Sequence, residues 1–335
     1  MFEVTTIDAH VAGGAVRLVT AGLPHLAASS IEERQRLLSE LAGPALAALA
    51  REPRGHSGVV VVVLTEGDTP DADAGMLLFR SSGAATACGH AIIGATGLAI
   101  TRGVLSPRSH GIVRYDTVAG RLTATTIALA GSGAVPVRCT GPAAMVLQPN
   151  MPVNIGRRAL RADVVWSGIE LVAIIDAEAA GVPLVSSRAL ELQRAGADVI
   201  RHLDESIRVT HPDSDAHLSI ASAVFIGPAP ESGMDIRSGT VRADGDVEHT
   251  PSAESTAAIA TVLSAMGLLP IGRRLVHQGL LGTTLFATIL SMGDTDGRHT
   301  VDVEIGGEAW PTGDHVFRFE EADPLLSHDR APEAP

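Results

Sequence analysis

Two stretches of this chain carry almost no polar face. From Cys88 the sequence reads CGHAIIGATGLAITRGVL, and from Ser252 it reads SAESTAAIATVLSAMGLL. In each, fifteen positions separate the first residue from a glycine, Gly103 or Gly267, of the kind that a left-handed helix C-cap favours. The spacing predicts two helices, and a helix apolar all round is a buried one. Ile31 to Ala50 (IEERQRLLSELAGPALAALA) instead has an amphipathic period behind Ser29 or Ser30 as N-cap, and a second surface helix is expected near Ser187 to Ala195.

Between the helices, strand-like runs dominate. GVVVVVLT from Gly58 to Thr65 reads as a buried strand, and others start at Met76 (MLLF), His110 (HGIVRYDTV), Arg121 (RLTATTIAL), Met145 (MVLQP), Glu170 (ELVAIID), Ile220 (IASAVFIG), Gly282 (GTTLFATIL) and His299 (HTVDVEI). GDTPDADAG, Gly67 to Gly75, reads as an ordered connection, and the terminal SHDRAPEAP as a frayed end. Two buried helices half a chain apart in 335 residues predict two similar α/β halves, each a curled β-sheet around its own central helix. Residues 1–135 would form the first half with the Cys88 helix and recover a C-terminal strand at 315–330; residues 136–314 would form the second with the Ser252 helix.

Composition narrows the chemistry. At 45% hydrophobic and 19% charged, with net charge -13, the chain reads as a soluble acidic protein, which argues against nucleic acid as a partner. No run approaches the roughly 18 apolar residues of a membrane span, and MFEVTTIDAH lacks a signal-peptide pattern, so the expectation is a cytoplasmic protein with no membrane partner. The two cysteines, Cys88 and Cys139, are expected as free thiols. All 25 basic residues in the Lys+Arg count are arginines, which removes a lysine aldimine to pyridoxal phosphate and a standard Walker A loop. HExxH, CxxC and a strand-following GxGxxG are absent too, so the expectation is a mechanism with no cofactor and no metal.

The remaining chemistry gathers at the two helix starts. A cysteine at a helix N-terminus faces unpaired N–H groups and the positive dipole end, which lower a thiol pKa from about 8.5 toward neutrality and make thiolate available as a base. Cys88 has that position, whereas a serine such as Ser252 needs a neighbouring base before it can act as one. Ser252 also fits an N-cap, and Cys139 a core thiol.

Several motifs resemble the proline racemase superfamily across nearly the whole chain: IDAHVAGGAVRLVTAG at Ile7, REPRGH at Arg51, CGHAIIG at Cys88, VRYDTVAGRLTA at Val113 and GDHVFRFEEADPL at Gly313. In the first, Asp8, His10, Gly13 and Arg17 match the family block, while Val11, Gly14 and Ala15 stand where Thr, Glu and Pro are usual. The second site of the family reads Asp-Arg-Ser-Pro-Cys-Gly-Thr-Gly-Thr; here Glu248-His249-Thr250-Pro251-Ser252-Ala253-Glu254-Ser255-Thr256 replaces the second cysteine by serine.

The resemblance implies a pseudo-symmetric two-domain α/β (α+β) fold like that of the diaminopimelate epimerases and a cofactor-independent enzyme acting on a proline-like imino acid. One thiol plus one hydroxyl is the pattern of the trans-3-hydroxy-L-proline dehydratases, so the expected reaction is dehydration, with Cys88 as base and Ser252 assisting departure of hydroxide. Backbone N–H groups of Gly89, His90, Ala253 and Glu254 would bind the substrate carboxylate, and His90 with Glu248 would hold the ring nitrogen; Ser255 completes the substrate-binding set. Glu254 reads either as a proton relay to Ser252 or as a first-turn acid. Hydroxyproline 2-epimerase or proline racemase activity is one alternative, and a non-catalytic amino- or imino-acid-binding member is another. A homodimer is the assembly considered. His10, Arg17, Arg54 and His56 read as structural, and His249 has no assigned role.

Overall fold

A computed structural model describes residues 2–86, 88–126, 133–212, 214–295, 297–320 and 322–326. The chain divides into two compact units, Met1–Val137 with Glu308–Pro335, and Arg138–Gly307.

The first unit begins with β1 (Phe2–Val11) and β2 (Gly14–Ala21), followed by α1 (Ile31–Leu49), β3 (Val60–Thr65), β4 (Ala74–Arg80), β5 (Gly83–Ala85), α2 (Gly89–Thr101), β6 (Ile112–Thr117) and β7 (Gly120–Thr126). The unit boundary then falls inside β8 (Val135–Thr140). Within the unit β1 pairs antiparallel with β2, β2 parallel with β3, β3 antiparallel with β4, β4 parallel with β6, and β6 antiparallel with β7.

The second unit holds β9 (Ala144–Ile155), β10 (Arg158–Trp166), β11 (Leu171–Asp176), the single-turn α3 (Ala177–Ala180), α4 (Ala189–Ser206), β12 (Val209–Thr210), β13 (His217–Leu218), β14 (Ile220–Pro228), β15 (Ile236–Arg242), β16 (Val247–Glu248), α5 (Ala253–Ala265), β17 (Arg274–Gln278) and β18 (Thr284–Thr295). It includes the start of β19 (Arg298–Phe319), whose end belongs to the first unit. Its sheet repeats the first: β10 antiparallel to β11, β11 parallel to β14, β14 antiparallel to β15, β15 parallel to β17, β17 antiparallel to β18. The short hairpins β4–β5 and β15–β16 occupy the same place in this series, each just before its buried helix. The fold is therefore pseudo-symmetric at the level of strand pairing.

Alternation explains why the central strands are so apolar. Val61 and Val63 pack with Ile31, Leu38, Leu46 and Leu49 of α1, while Val60 and Val62, equally buried, point to the opposite face, where α2 lies on β1, β2, β3 and β7. In the second unit Ala173, Ile175, Ala223 and Phe225 pack with Leu192, Val199 and Leu203 of α4. Their neighbours Val172, Ile174 and Val224 face the other way, on the side of α5.

Both buried helices end alike. In α2 the N–H groups of Gly103 and Val104 donate to Ile100 and Ala99; in α5 those of Gly267 and Leu268 donate to Ser264 and Leu263. Gly103 (φ 67) and Gly267 (φ 73) take the left-handed conformation that this Schellman closure needs.

Other elements depart from their sequence expectations. The surface helix expected near Ser187 to Ala195 runs Ala189–Ser206, because Leu192, Val199 and Leu203 carry its apolar face well past Ala195. Strands β10, β15 and β17 were hidden by their arginines and by polar residues, several of them buried (Ser238, Thr240, His277 and Gln278), and β19 continues through Gly, Pro and Asp to Phe319. The Gly67 to Gly75 connection ends where β4 starts, at Ala74, and is pinned by Asp116, whose carboxylate accepts from the N–H groups of Asp68 and Thr69 at 2.9 and 2.8 Å. Residues 127–129 of the expected Arg121 strand and the SHDRAPEAP ending lie outside the described residues. Among the described residues no helix is long and apolar enough to cross a membrane.

Candidate active site

In the first unit, the β4–β5 hairpin turns through Gly83 and delivers the chain to Cys88, the N-cap of α2. Cys88 is fully buried, and its thiol does not cap the helix. It lies instead among nitrogen atoms: His90 Nδ1 is 3.1 Å from Sγ, His90 Nε2 is 3.5 Å away, and Arg80 Nη2 donates to Sγ at 3.4 Å. His90 is buried against Gly14, where an added Cβ would sit 3.1 Å from the ring Cδ2.

In the second unit, β16 carries Glu248 and the chain reaches Ser252, the N-cap of α5. Ser252 behaves as a cap in full. Its Oγ accepts from the Ser255 N–H at 3.1 Å and donates to Ser255 Oγ at 2.8 Å, while the Ser252 N–H donates back to Ser255 Oγ at 3.2 Å. This reciprocal capping box is closed by a serine rather than by the usual Glu or Gln. Ala253, Glu254 and Ser255 form the first turn and are all buried. Glu254 lies one residue before the box position, and the N–H and hydroxyl of Ser255 are both engaged within the box.

Beneath this turn lies a polar line that the sequence did not reveal. Thr256 Oγ1 donates to the Ser252 carbonyl and meets His277 Nδ1 at 2.8 Å; His277 Nε2 meets Ser238 Oγ at 2.6 Å. Because the Thr256 proton goes to Ser252, His277 must donate from Nδ1 and accept from Ser238 at Nε2. Full burial lowers the His277 pKa to about 3, which keeps the ring neutral. The first unit has a parallel: Thr96 Oγ1 donates to the Ile92 carbonyl and meets Tyr115 OH at 3.0 Å.

Glu248 belongs to a charged cluster centred on Arg242. Arg242 Nη1 lies 3.6 Å from Glu248 Oε1 and 3.7 Å from Glu170 Oε2. Burial alone would lower the Arg242 pKa, but the carboxylates of Glu170, Glu248, Asp244 and Glu254 raise it well above the ordinary value. Glu248 Oε2 is buried with no hydrogen-bond partner, as is the hydroxyl of Thr240, its cross-strand neighbour. A buried carboxylate oxygen in that state is a ready acceptor for a cationic N–H group.

The other motif residues hold the scaffold. Arg17 pairs with buried Asp8 at 2.8 Å and donates from Nη1 to the carbonyls of Leu49 and Arg54 at 2.6 and 2.8 Å; Arg54 pairs with Asp323. Their guanidinium groups lie over Phe317 and Phe319. His10 Nδ1 accepts from the Gly13 N–H, His56 Nδ1 accepts from the Gly58 N–H, and the His249 carbonyl accepts from the Leu281 N–H. Cys139 is buried and not disulfide-bonded.

A sequence-family profile described as proline racemase matches residues 6–328. The trans-3-hydroxy-L-proline dehydratase of Bacillus cereus is 27% identical over 324 residues, covering 96% of each chain. The proline racemase of Clostridioides difficile is 28% identical over 328 residues, again covering 96% of each. The crystal structure of a hydroxyproline epimerase from Agrobacterium vitis, with bound trans-4-hydroxy-L-proline, superposes with a TM-score of 0.82 at 21% identity, covering 94% of this chain and 92% of the other. The fold is thus the pseudo-symmetric two-domain α/β fold expected of the chain.

Proposed function

This chain belongs to the proline racemase family, and we propose that within it the protein dehydrates trans-3-hydroxy-L-proline or a close relative. The observation that carries the proposal is the unlike state of the two helix caps. The Cys88 sulfur is surrounded by Arg80 and His90 nitrogens, whereas the Ser252 hydroxyl is committed to Ser255 and to its own helix.

Racemisation needs a proton acceptor on one face of the α-carbon and a donor on the other, and the roles exchange for the reverse reaction. A hydroxyl tied into a capping box is poorly suited to that exchange, because its proton has no strong base to go to. Elimination needs a single strong base. The Cys88 thiolate takes the α-proton, the C–H electrons form the Cα–Cβ double bond, and the Cβ–O bond breaks as the Cys88 thiol so formed returns that proton to the departing hydroxyl, which lies on the same ring face and leaves as water. Ser252 acts as the hydrogen-bonding group beside that oxygen.

The substrate carboxylate binds to first-turn N–H groups of Gly89, His90, Ala253 and Glu254, since helix N-termini favour anions. The ring nitrogen, cationic at neutral pH, is taken by Glu248 Oε2, with His90 as its second contact; the unpartnered state of that oxygen supports the assignment. Ser255 contributes by fixing Ser252. The dehydratase relative, with 27% identity, is consistent with this reading but does not select it over its racemase counterpart at 28%.

The test is proton NMR of the protein in D2O with trans-3-hydroxy-L-proline, proline and 4-hydroxyproline in separate tubes and a Cys88→Ala control. Dehydration predicts loss of the 3-hydroxyproline signals into an unsaturated product, absent in the control. Deuterium at the α-carbon of an intact ring would replace the proposal by epimerisation, and three unchanged spectra would replace it by binding without catalysis.

A further inference from the structure

We infer that Arg80 is a positioning residue that holds Cys88 as a thiolate. The inference rests on the reading of Cys88 as the base and adds to it a group outside the Cys-Gly-His motif.

Arg80 is the last residue of β4, register partner of Gly83 across the hairpin turn. The hairpin therefore folds the chain back so that a side chain eight positions earlier returns to Cys88, with Nη2 donating to Sγ at 3.4 Å. On the helix side, His90 Nδ1 lies 3.1 Å from the same sulfur. Nitrogens from two elements thus gather on one fully buried sulfur atom at a helix N-terminus. A neutral thiol is a weak acceptor and gains little from such company; a thiolate gains from each donor, and from a guanidinium most of all, because Arg keeps its charge when buried.

The surroundings preserve this arrangement. Gly14, at the β1–β2 turn, lies so near the His90 ring that a Cβ would come within 3.1 Å of Cδ2 and 3.3 Å of Nε2, so the bare glycine lets the ring sit where it does. The charged groups carried by the neighbouring strands have other partners: Asp8 and Arg17 pair with each other, and His10 Nδ1 accepts from Gly13. On the unit's own elements, Arg80 and His90 both contact Sγ.

The experiment titrates the thiolate without substrate. In a Cys139→Ala background, which leaves one thiol, far-ultraviolet thiolate absorbance is followed against pH, with Cys88→Ser as the blank. The parent is expected to ionise well below the ordinary thiol value of about 8.5, Arg80→Met to hold about tenfold less thiolate at neutral pH, and Arg80→Lys to recover most of the loss. Circular dichroism and a thermal melt establish that each variant is folded; should Arg80→Met not fold, Arg80→Gln, which keeps an N–H donor without the charge, takes its place. Arg80→Met (or Arg80→Gln in its place) titrating like the parent, or a parent titrating at or above the ordinary value, overturns the inference. So does an equal loss of thiolate on Glu254→Gln, the buried acid at the α5 position that matches His90. Because no substrate is present, a chain that dehydrates nothing can still pass this test, and one that dehydrates 3-hydroxyproline can still fail it.

Discussion

At the scale of single residues, some of the groups that support the helix starts were not visible in the sequence. His277 sits in a strand with no motif around it, yet it supports the Ser252 turn through Thr256. Its pKa, lowered by burial to about 3, has a consequence for stability. Above the unfolded histidine value near 6.5 both states are neutral and the group contributes no pH dependence; as pH falls below it, only the unfolded chain takes the proton, and stability is lost toward the folded value. Between pH 6.5 and 5 this amounts to about 2 kcal/mol. Urea melts across that window should show the loss, and His277→Gln, which keeps a donor and an acceptor, should flatten it. Arg17 was legible as a structural motif residue, but its partners were not. Three hydrogen-bonding partners and a ring stack make it a scaffold clamp, and Arg17→Met, leaving the buried Asp8 carboxylate without its guanidinium, is expected to cost about 3–5 kcal/mol in denaturant melts. Cys88, Ser252 and Glu248 could be proposed from the sequence, because its motifs place them at or just before the two helix starts. Arg80, Arg242 and Glu170 could not, since strand pairing brings them in from elsewhere.

At the scale of elements, the two buried helices were readable from end to end, because an apolar surface on every side followed by glycine has few other solutions. Close packing adds a constraint that hydrophobicity does not express. In α2 a Cβ on Gly97 would lie 2.5 Å from the Cβ of Ala309 on β19, so Gly97→Ala should destabilise the first unit by about 1–3 kcal/mol despite its better helix propensity. The cap of α5 makes a smaller contribution: Ser252→Ala should cost about 1 kcal/mol, and Ser255→Ala a comparable amount, both read as thermal shifts. Activity divides these two variants. Ser252→Ala removes the hydroxyl proposed to sit beside the leaving group and should lower kcat much more than its stability loss accounts for, whereas Ser255→Ala should leave a slower enzyme whose Ser252 is loosened but present. Strands such as β10, β15 and β17 escaped the sequence reading for the opposite reason to the helices. β10 begins with exposed arginines, and β15 and β17 bury Ser238, Thr240, His277 and Gln278, so none shows a continuous apolar face and their patterns resemble connecting segments.

At the scale of the whole molecule, the repeated order of parallel and antiparallel pairings explains why one unit's helix start has a twin in the other. Duplication of architecture was legible from the spacing of the two apolar helices; which strand closes which sheet was not, because it depends on partners far apart in sequence. The first unit is the discontinuous one. β1 lies between β2 and the end of β19, with Val4 opposite Phe317 and Val11 opposite Ala309, and the tail adds Asp323 to Arg54. A chain ended after Gly307 lacks all of these partners, and its thermal transition should lose the part that belongs to the first unit, visible as a diminished unfolding enthalpy in calorimetry. The same arrangement bears on how the protein is made. As the polypeptide leaves the ribosome, the segment from Arg138 to Gly307 emerges as an uninterrupted unit, while the portion translated before it still lacks the outer neighbour of its first strand. The half that is synthesised first is therefore the half that matures last, and until the end of β19 has emerged its first strand presents an open edge.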